Sequence, residues 1–180
     1  MAFANIDNFR NAVKGIQRAT LFDVDVTWGG ASGFDTANFK FTCKSASIPA
    51  STFGKIEIPF MGRKIQFNGD RQYTDWNTTV IVDHEWKSYK NIYRWHQAMN
   101  HARENVATSK NMPDFKGTAI ITAYDQTGHP SLKIKLDGFF PYDMQELQMG
   151  WDQNDTTADL TVVWAYDFSE MIDMSREMSR

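Results

Sequence analysis

Four stretches of this chain alternate apolar and polar side chains one by one. In LFDVDVTW, Phe22, Val24, Val26 and Trp28 share a face opposite Asp23, Asp25 and Thr27. Trp76, Thr78, Val80 and Val82 likewise oppose Asn77, Thr79, Ile81 and Asp83. SLKIKLDGFFP sets Leu132, Ile134 and Leu136 against Lys133, Lys135 and Asp137, and ADLTVVWAYDF lines up Leu160, Val162, Trp164, Tyr166 and Phe168. A period of two is the signature of a strand with one buried face, which commits the chain to a mainly β architecture. GTAIITAYD reads as a further strand, and so does FKFTCKSAS, with Phe39, Phe41 and Cys43 against Lys40, Thr42 and Lys44 and Pro49 at its end.

The period changes only twice. Ile6, Phe9, Val13 and Ile16 fall at helical spacing, predicting a short helix from Ile6 to Arg18 that docks on something. Residues 84–102 predict a longer helix capped by Asp83, with Trp86, Tyr89, Ile92, Tyr93, His96 and Met99 buried and Trp95 at the edge. Between strands, GGASGFD reads as a loop, Pro59-Phe60-Met61-Gly62 as a turn, and Asn68-Gly69 as a second turn. The expected fold is an antiparallel β-sandwich or barrel carrying one inserted helix. Its parts are an N-terminal helical segment (1–20), the β domain (21–168) and a polar tail (169–180), either disordered or a docking helix.

A chain of 180 residues has room for one domain with a sizeable core. Its net charge of −3 argues against a free-standing nucleic-acid binder, which needs a clustered basic surface. One cysteine, Cys43, allows no internal disulfide and no thiolate-rich metal site. MAFANIDNFRNAVKG has no apolar signal core and no run is long enough to span a bilayer, so the expectation is folding in a cytoplasm without membrane insertion. The sequons at Asn77 and Asn154 carry no meaning there.

Residues for catalysis are not assembled. HEWKS has Ser88 where a metalloprotease motif needs its second histidine. His96 and His101 are five residues apart, which on a helix turns them about 140° away from each other. No carboxylate pair, phosphate loop or nucleophile elbow is present, and Cys43 lies on an apolar face as an inert thiol. The reading is of a protein that is not an enzyme and needs no cofactor.

The run FTCKSASIPA…KIEIPFMGRKIQFNGDRQYTDWNTTVIVD resembles the tail tube proteins of contractile-tailed bacteriophages. The matching positions are Phe60, Met61, Arg63, Lys64 and Ile65, then Gly69, Asp70, Arg71, Asp75 and Trp76. In the second half they are Gly138, Phe140, Pro141, Glu146, Leu147, Trp151 and Asp152. The resemblance runs from Leu21 to Phe168.

It implies a virion protein, assembled in the host cytoplasm, that stacks as hexameric rings inside a contractile sheath. The inner strands of each ring would join in one continuous barrel. Baseplate and terminator proteins would meet the ends, and double-stranded DNA would pass without specific binding. Phe60, Met61, Arg63, Lys64, Asp70, Arg71 and Asp75 would form the hairpin that packs on the adjacent ring, its mixed charges fixing register. Four inner strands from each of six subunits give a backbone diameter of roughly 48 Å and a bore near 38 Å, wide enough for a duplex. A lumen dense in Lys and Arg would hold phosphates. Asp23 and Asp25, or Asn77, Thr79 and Asp83, are therefore the lumen candidates. Two alternatives stand beside this reading: the inner tube of a contractile injection particle that delivers protein, and a monomeric ligand-binding β-barrel.

Overall fold

The computed structural model describes residues 6–12, 16–28 and 36–172. Its centre is a cluster of aromatic rings. Trp76, Trp95, Trp164 and Phe139 are each fully buried, with Phe139 stacked on Trp164 at 4.4 Å between centroids and Trp95 edge-on to Phe139 at 5.9 Å. Each of these indoles donates its N–H within the protein. Trp76 reaches the Ser47 carbonyl (2.6 Å), Trp95 the Phe115 carbonyl (2.7 Å) and Trp164 the Thr78 hydroxyl (2.8 Å). A buried indole without such a partner costs stability, so these bonds fix ring orientation as well as adding contact.

Around the cluster runs an antiparallel sheet in the order β1-β6-β7-β8-β5-β2. These strands are β1 (Phe22–Trp28), β2 (Cys43–Ala46), β5 (Trp76–Ile81), β6 (Gly117–Tyr124), β7 (Pro130–Met144) and β8 (Asp159–Ala165). The alternating faces read from the sequence are the buried ones: Val24 and Val26 on β1, Trp76, Thr78 and Val80 on β5, Leu160, Val162 and Trp164 on β8. β3 (Ser51–Phe60) and β4 (Arg63–Tyr73) pair only with each other. The expected class, antiparallel β with an inserted helix, is the observed one. The sheet is not closed, since β1 and β2 at its two ends do not pair.

β7 belongs to two layers. Residues 130–139 pair with β6, and Phe140–Met144 pair with β8. The change of direction falls at Gly138, whose φ of 66° favours glycine. A Cβ there would also stand 2.0 Å from a carboxylate oxygen of Asp167, which is held by Lys116 at 2.6 Å and by its own N–H on the Asp137 carbonyl.

Several sequence expectations are corrected. Phe39 and Phe41 are not in a strand: residues Thr36–Thr42 form helix α2, and only Cys43–Ala46 extend as β2. The helix delivers Phe39 edge-on to Trp164 (6.0 Å), while Phe41 points to solvent. That aromatic contact overrides a local pattern that favours a strand. The long helix α3 is Lys87–Met99 rather than 84–102, and Ser88, Asn91, Ile92 and Trp95 are its buried residues, with Tyr93 exposed. Trp95 is the anchor of the helix, not its edge. Asp83 does cap it, from further upstream than an N-cap: its carboxylate accepts the Ser88 N–H (3.1 Å), while Trp86 holds the cap position with a left-handed backbone.

Asn68-Gly69 makes no turn. The hairpin closes at Met61-Gly62, both with positive φ, as a two-residue primed turn requires. Gly69 lies inside β4, where a Cβ would come within 3.1 Å of the Gly54 backbone opposite a bulge. The glycine serves close approach of two strands.

The final strand breaks at Tyr166-Asp167 and resumes as β9 (Phe168–Ile172) along β7, so Phe168 is exposed and the polar tail begins later than residue 169. Helix α1 is Ile6–Ala12, and residues 16–18 are not helical. Val13, the glycine-rich stretch 29–35 and residues 173–180 lie outside the described residues.

Two stability outcomes follow from this packing. Gly138→Ala combines left-handed strain with the Asp167 clash and is expected to destabilise by about 1–3 kcal/mol, read as a lower midpoint in thermal unfolding. Trp95→Ala removes the α3 anchor and is expected to cost about 3–5 kcal/mol, read by denaturant titration. A wild-type midpoint for either variant would contradict the role given to that residue.

Candidate functional site

The β3–β4 hairpin is an arm. The ten residues of β3 reach roughly 33 Å, and among the described residues the arm's bonds and ring contacts with the body lie near its base. There Thr74 donates N–H and hydroxyl to the Ala50 carbonyl (3.2 and 3.1 Å), and Tyr73 lies 5.6 Å from Tyr166. Every residue of the two strands except Gly69 and Tyr73 is exposed.

The pairing register sorts its side chains into two faces. Ile56 stands opposite Phe67, Ile58 opposite Ile65 and Phe60 opposite Arg63, so these six share a face, while Phe53 and its partner Arg71 fall on the other, across the bulge. Its five apolar members are 45–59 % exposed. On the other face Glu57 takes an ion pair from Lys64 (2.8 Å), beside Lys55, Gln66 and Asn68. Arg71 covers the Phe53 ring at 4.7 Å, and Met61 stands at the tip, 89 % exposed.

Of the hairpin residues expected from sequence, Phe60, Met61, Arg63 and Lys64 gather at the tip. Asp70 and Arg71 lie about 23 Å along the strand towards the base, and Asp75 lies beyond it, in the link to β5. Arg63 and Asp70 make no ion pair among the described residues, whereas Lys64 is committed to Glu57. The apolar face was missed, although the alternation in KIEIPF and KIQF carries it.

The lumen candidates divide between two strands that do not pair. On β1, Asp23 and Asp25 both face Lys40 of α2, at 2.5 and 3.5 Å, and Asp23 also accepts the Tyr124 hydroxyl at 3.3 Å. The hydrogen bond to Asp23 raises the Lys40 pKa above the ordinary lysine value against the opposing effect of burial. Asn77 is exposed and Thr79 half-buried on β5, while Asp83 lies past the end of that strand with its carboxylate on the α3 cap. Among the described residues no three His, Cys, Asp or Glu side chains converge on one point, and no helix is long and apolar enough to cross a membrane.

Residues 14–169 match the model of a family described as phage tail tube protein. The chain belongs to that family. It is similar to tail tube protein gp19 of Enterobacteria phage T4, 32 % identical over 154 residues that make up 85 % of this chain and 90 % of that protein. Its fold is shared with the sheath/tube terminator of an extracellular contractile injection system, PVC, in the extended state. The TM-score is 0.66 at 16 % identity, over 89 % of this chain and 99 % of the other. The sheath-tube complex of the same system gives a TM-score of 0.62 at 16 % identity, over 92 % and 97 % of the two chains. The tail tube resemblance read from the sequence therefore holds, and the chain has a structural role as a component of a virion tail.

Cys43 offers a test of the β1–α2–β2 corner. Burial first, and the nearby Asp23 second, push its thiol from 9.0 up to about 12. The folded protein then holds roughly a thousandfold less thiolate at pH 8 than the unfolded chain. Native Cys43 is expected to react with a thiol reagent at least about a hundredfold more slowly than in denaturant. Equal rates would place the thiol in solvent.

Proposed function

We propose that the chain forms hexameric rings that stack into the inner tube of a contractile tail, a conduit through which DNA leaves the particle. One observation carries this reading: the apolar face of the β3–β4 arm has nothing covering it among the described residues. Fully burying one such side chain is worth about 1.5–3 kcal/mol, so five that are half exposed leave on the order of 5 kcal/mol unclaimed. An exposed ion pair contributes about 0–1 kcal/mol. Affinity between rings therefore comes from the apolar face, and Arg63, Asp70 and Arg71 set the register. The unpaired edges of β1 and β2 would pair with neighbouring copies in the ring, closing the barrel that one chain leaves open.

The bore is lined in this reading by Asp25 and by Asn77 and Thr79. Asp23 stays with Lys40, and Asp83 with its helix. Sheath, terminator and baseplate proteins are its partners, the first two being named in the solved structures of similar fold. Assembly takes place in the host cytoplasm. An injection particle that delivers protein is the second reading, favoured by the fold of the PVC structures. The stronger sequence likeness, to the T4 protein, favours the phage tail.

Negative-stain electron microscopy at rising concentration tests this. Wild type is expected to give rings or tubes with a central hole. Ile65→Lys should stop stacking, while Arg63→Glu and Arg71→Glu should weaken it in chains that still fold. Normal tubes from all three variants would remove the hairpin from the interface, and a wild type that stays monomeric at every concentration would return the ligand-binding barrel to consideration.

A further inference from the structure

A second apolar feature lies far from the hairpin. Between the C-terminal end of α3 and the segment that follows it is a groove of about 800 Å³, walled by Met99, Val106, Ala107, Phe115 and Phe140. Val106 is 55 % exposed on its wall, and Lys110 stands at its rim with no ion pair among the described residues. The neighbouring Lys116 is already held by Asp167.

The loop between β7 and β8, residues 145–158, presents the converse shape. Trp151 is fully exposed and Met149 is 75 % exposed. The Gln153 N–H to Gly150 carbonyl bond (3.3 Å) and the Asn154 N–H to Asp152 carbonyl bond (3.0 Å) close a turn around the indole. This segment carries Glu146, Asp152 and Asp155 and no Lys or Arg. Asp152 and Asp155 make no side-chain ion pair among the described residues.

We infer that Trp151 of one copy seats in the Met99–Val106–Phe115–Phe140 groove of a neighbouring copy, with Asp152 meeting Lys110. The charges are complementary and unspent on both sides, and a groove of this volume admits an indole with Met149 beside it. Tryptophan is the residue whose burial most often dominates an interface, because it removes 150–250 Å² from water, and its polar N–H can remain at the rim. The occupant is not the chain's own loop. In the single chain the loop leaves the groove empty, since Trp151 is wholly exposed. A knob and a groove at separated places on one chain make a head-to-tail contact, which either closes into a ring or propagates. The inference rests on the tube reading and adds a contact to it that does not involve the hairpin.

The test is the concentration at which assemblies sediment, measured for wild type, Trp151→Ala, Lys110→Glu and the pair Lys110→Glu with Asp152→Lys. Since Trp151 is wholly exposed in the single chain, Trp151→Ala should leave the unfolding midpoint of dilute, unassembled protein unchanged. It should raise the assembly threshold at least tenfold. Lys110→Glu should raise the threshold as well, and the paired reversal should recover it. Trp151→Ala assembling at the wild-type threshold, or a reversal without recovery, would overturn the contact and leave the tube intact. A wild type that forms no assembly at any concentration would overturn the tube reading, and this contact with it.

Discussion

The fold depends on four rings that pack only when five elements are in register. Trp76 comes from β5, Phe139 from β7, Trp164 from β8 and Trp95 from α3, and the stacked Trp28–Trp95 pair (4.8 Å) brings in β1. The indole N–H bonds tie this cluster to segments outside the sheet: Ser47 ahead of the hairpin and Phe115 at the end of the long connection. A slip of one residue in β5 or β8 would turn an indole out to solvent and break its N–H bond. The same cluster positions the arm, because β5 begins at Trp76, two residues after the Thr74 bond that holds the hairpin base.

What the sequence made legible was periodic and local. β1, β5 and β8 alternate cleanly because each buries one face against one layer, so their inward residues could be named from spacing alone. The parts that misled were those where a distant contact decides. Phe39 and Phe41 alternate as in a strand, yet Phe39 is needed against Trp164, and one helical turn puts it there. On α3 the most apolar stripe pointed to Tyr93, but Ser88 and Asn91, small and polar, allow close packing on the side that Trp95 anchors. Asn68-Gly69 carried a strong turn signal, and only the pairing partner Gly54 reveals a different need for glycine. The hairpin was recognised through the resemblance. Its apolar face could have been read from residues 56–67, since the turn at Pro59–Gly62 was placed where the hairpin closes and only the second turn, at Asn68-Gly69, cut β4 short.

The chain keeps two kinds of apolar surface. One is buried, with the N–H groups of Trp76, Trp95 and Trp164 paired. The other lies on the arm and on the loop at Trp151, half exposed or more, and as an open groove beside α3. A large uncovered patch is unusual for a protein that works alone, and three of them fit a subunit whose folding is finished by copies of itself. Ion pairs here, such as Lys64–Glu57 and Lys44–Asp159, are surface features that orient more than they bind.

Cys43 has a further consequence. If the subunits stack as proposed above, a particle released from its host would work in an oxidising medium, with no reductase to repair it and no new subunits to replace old ones. A thiol that is almost never ionised is a poor starting point for sulfenic acid or for disulfide exchange between adjacent copies. Burial at that corner would then act as chemical preservation, slowing the ageing of such an assembly at the sequence's one sulfhydryl.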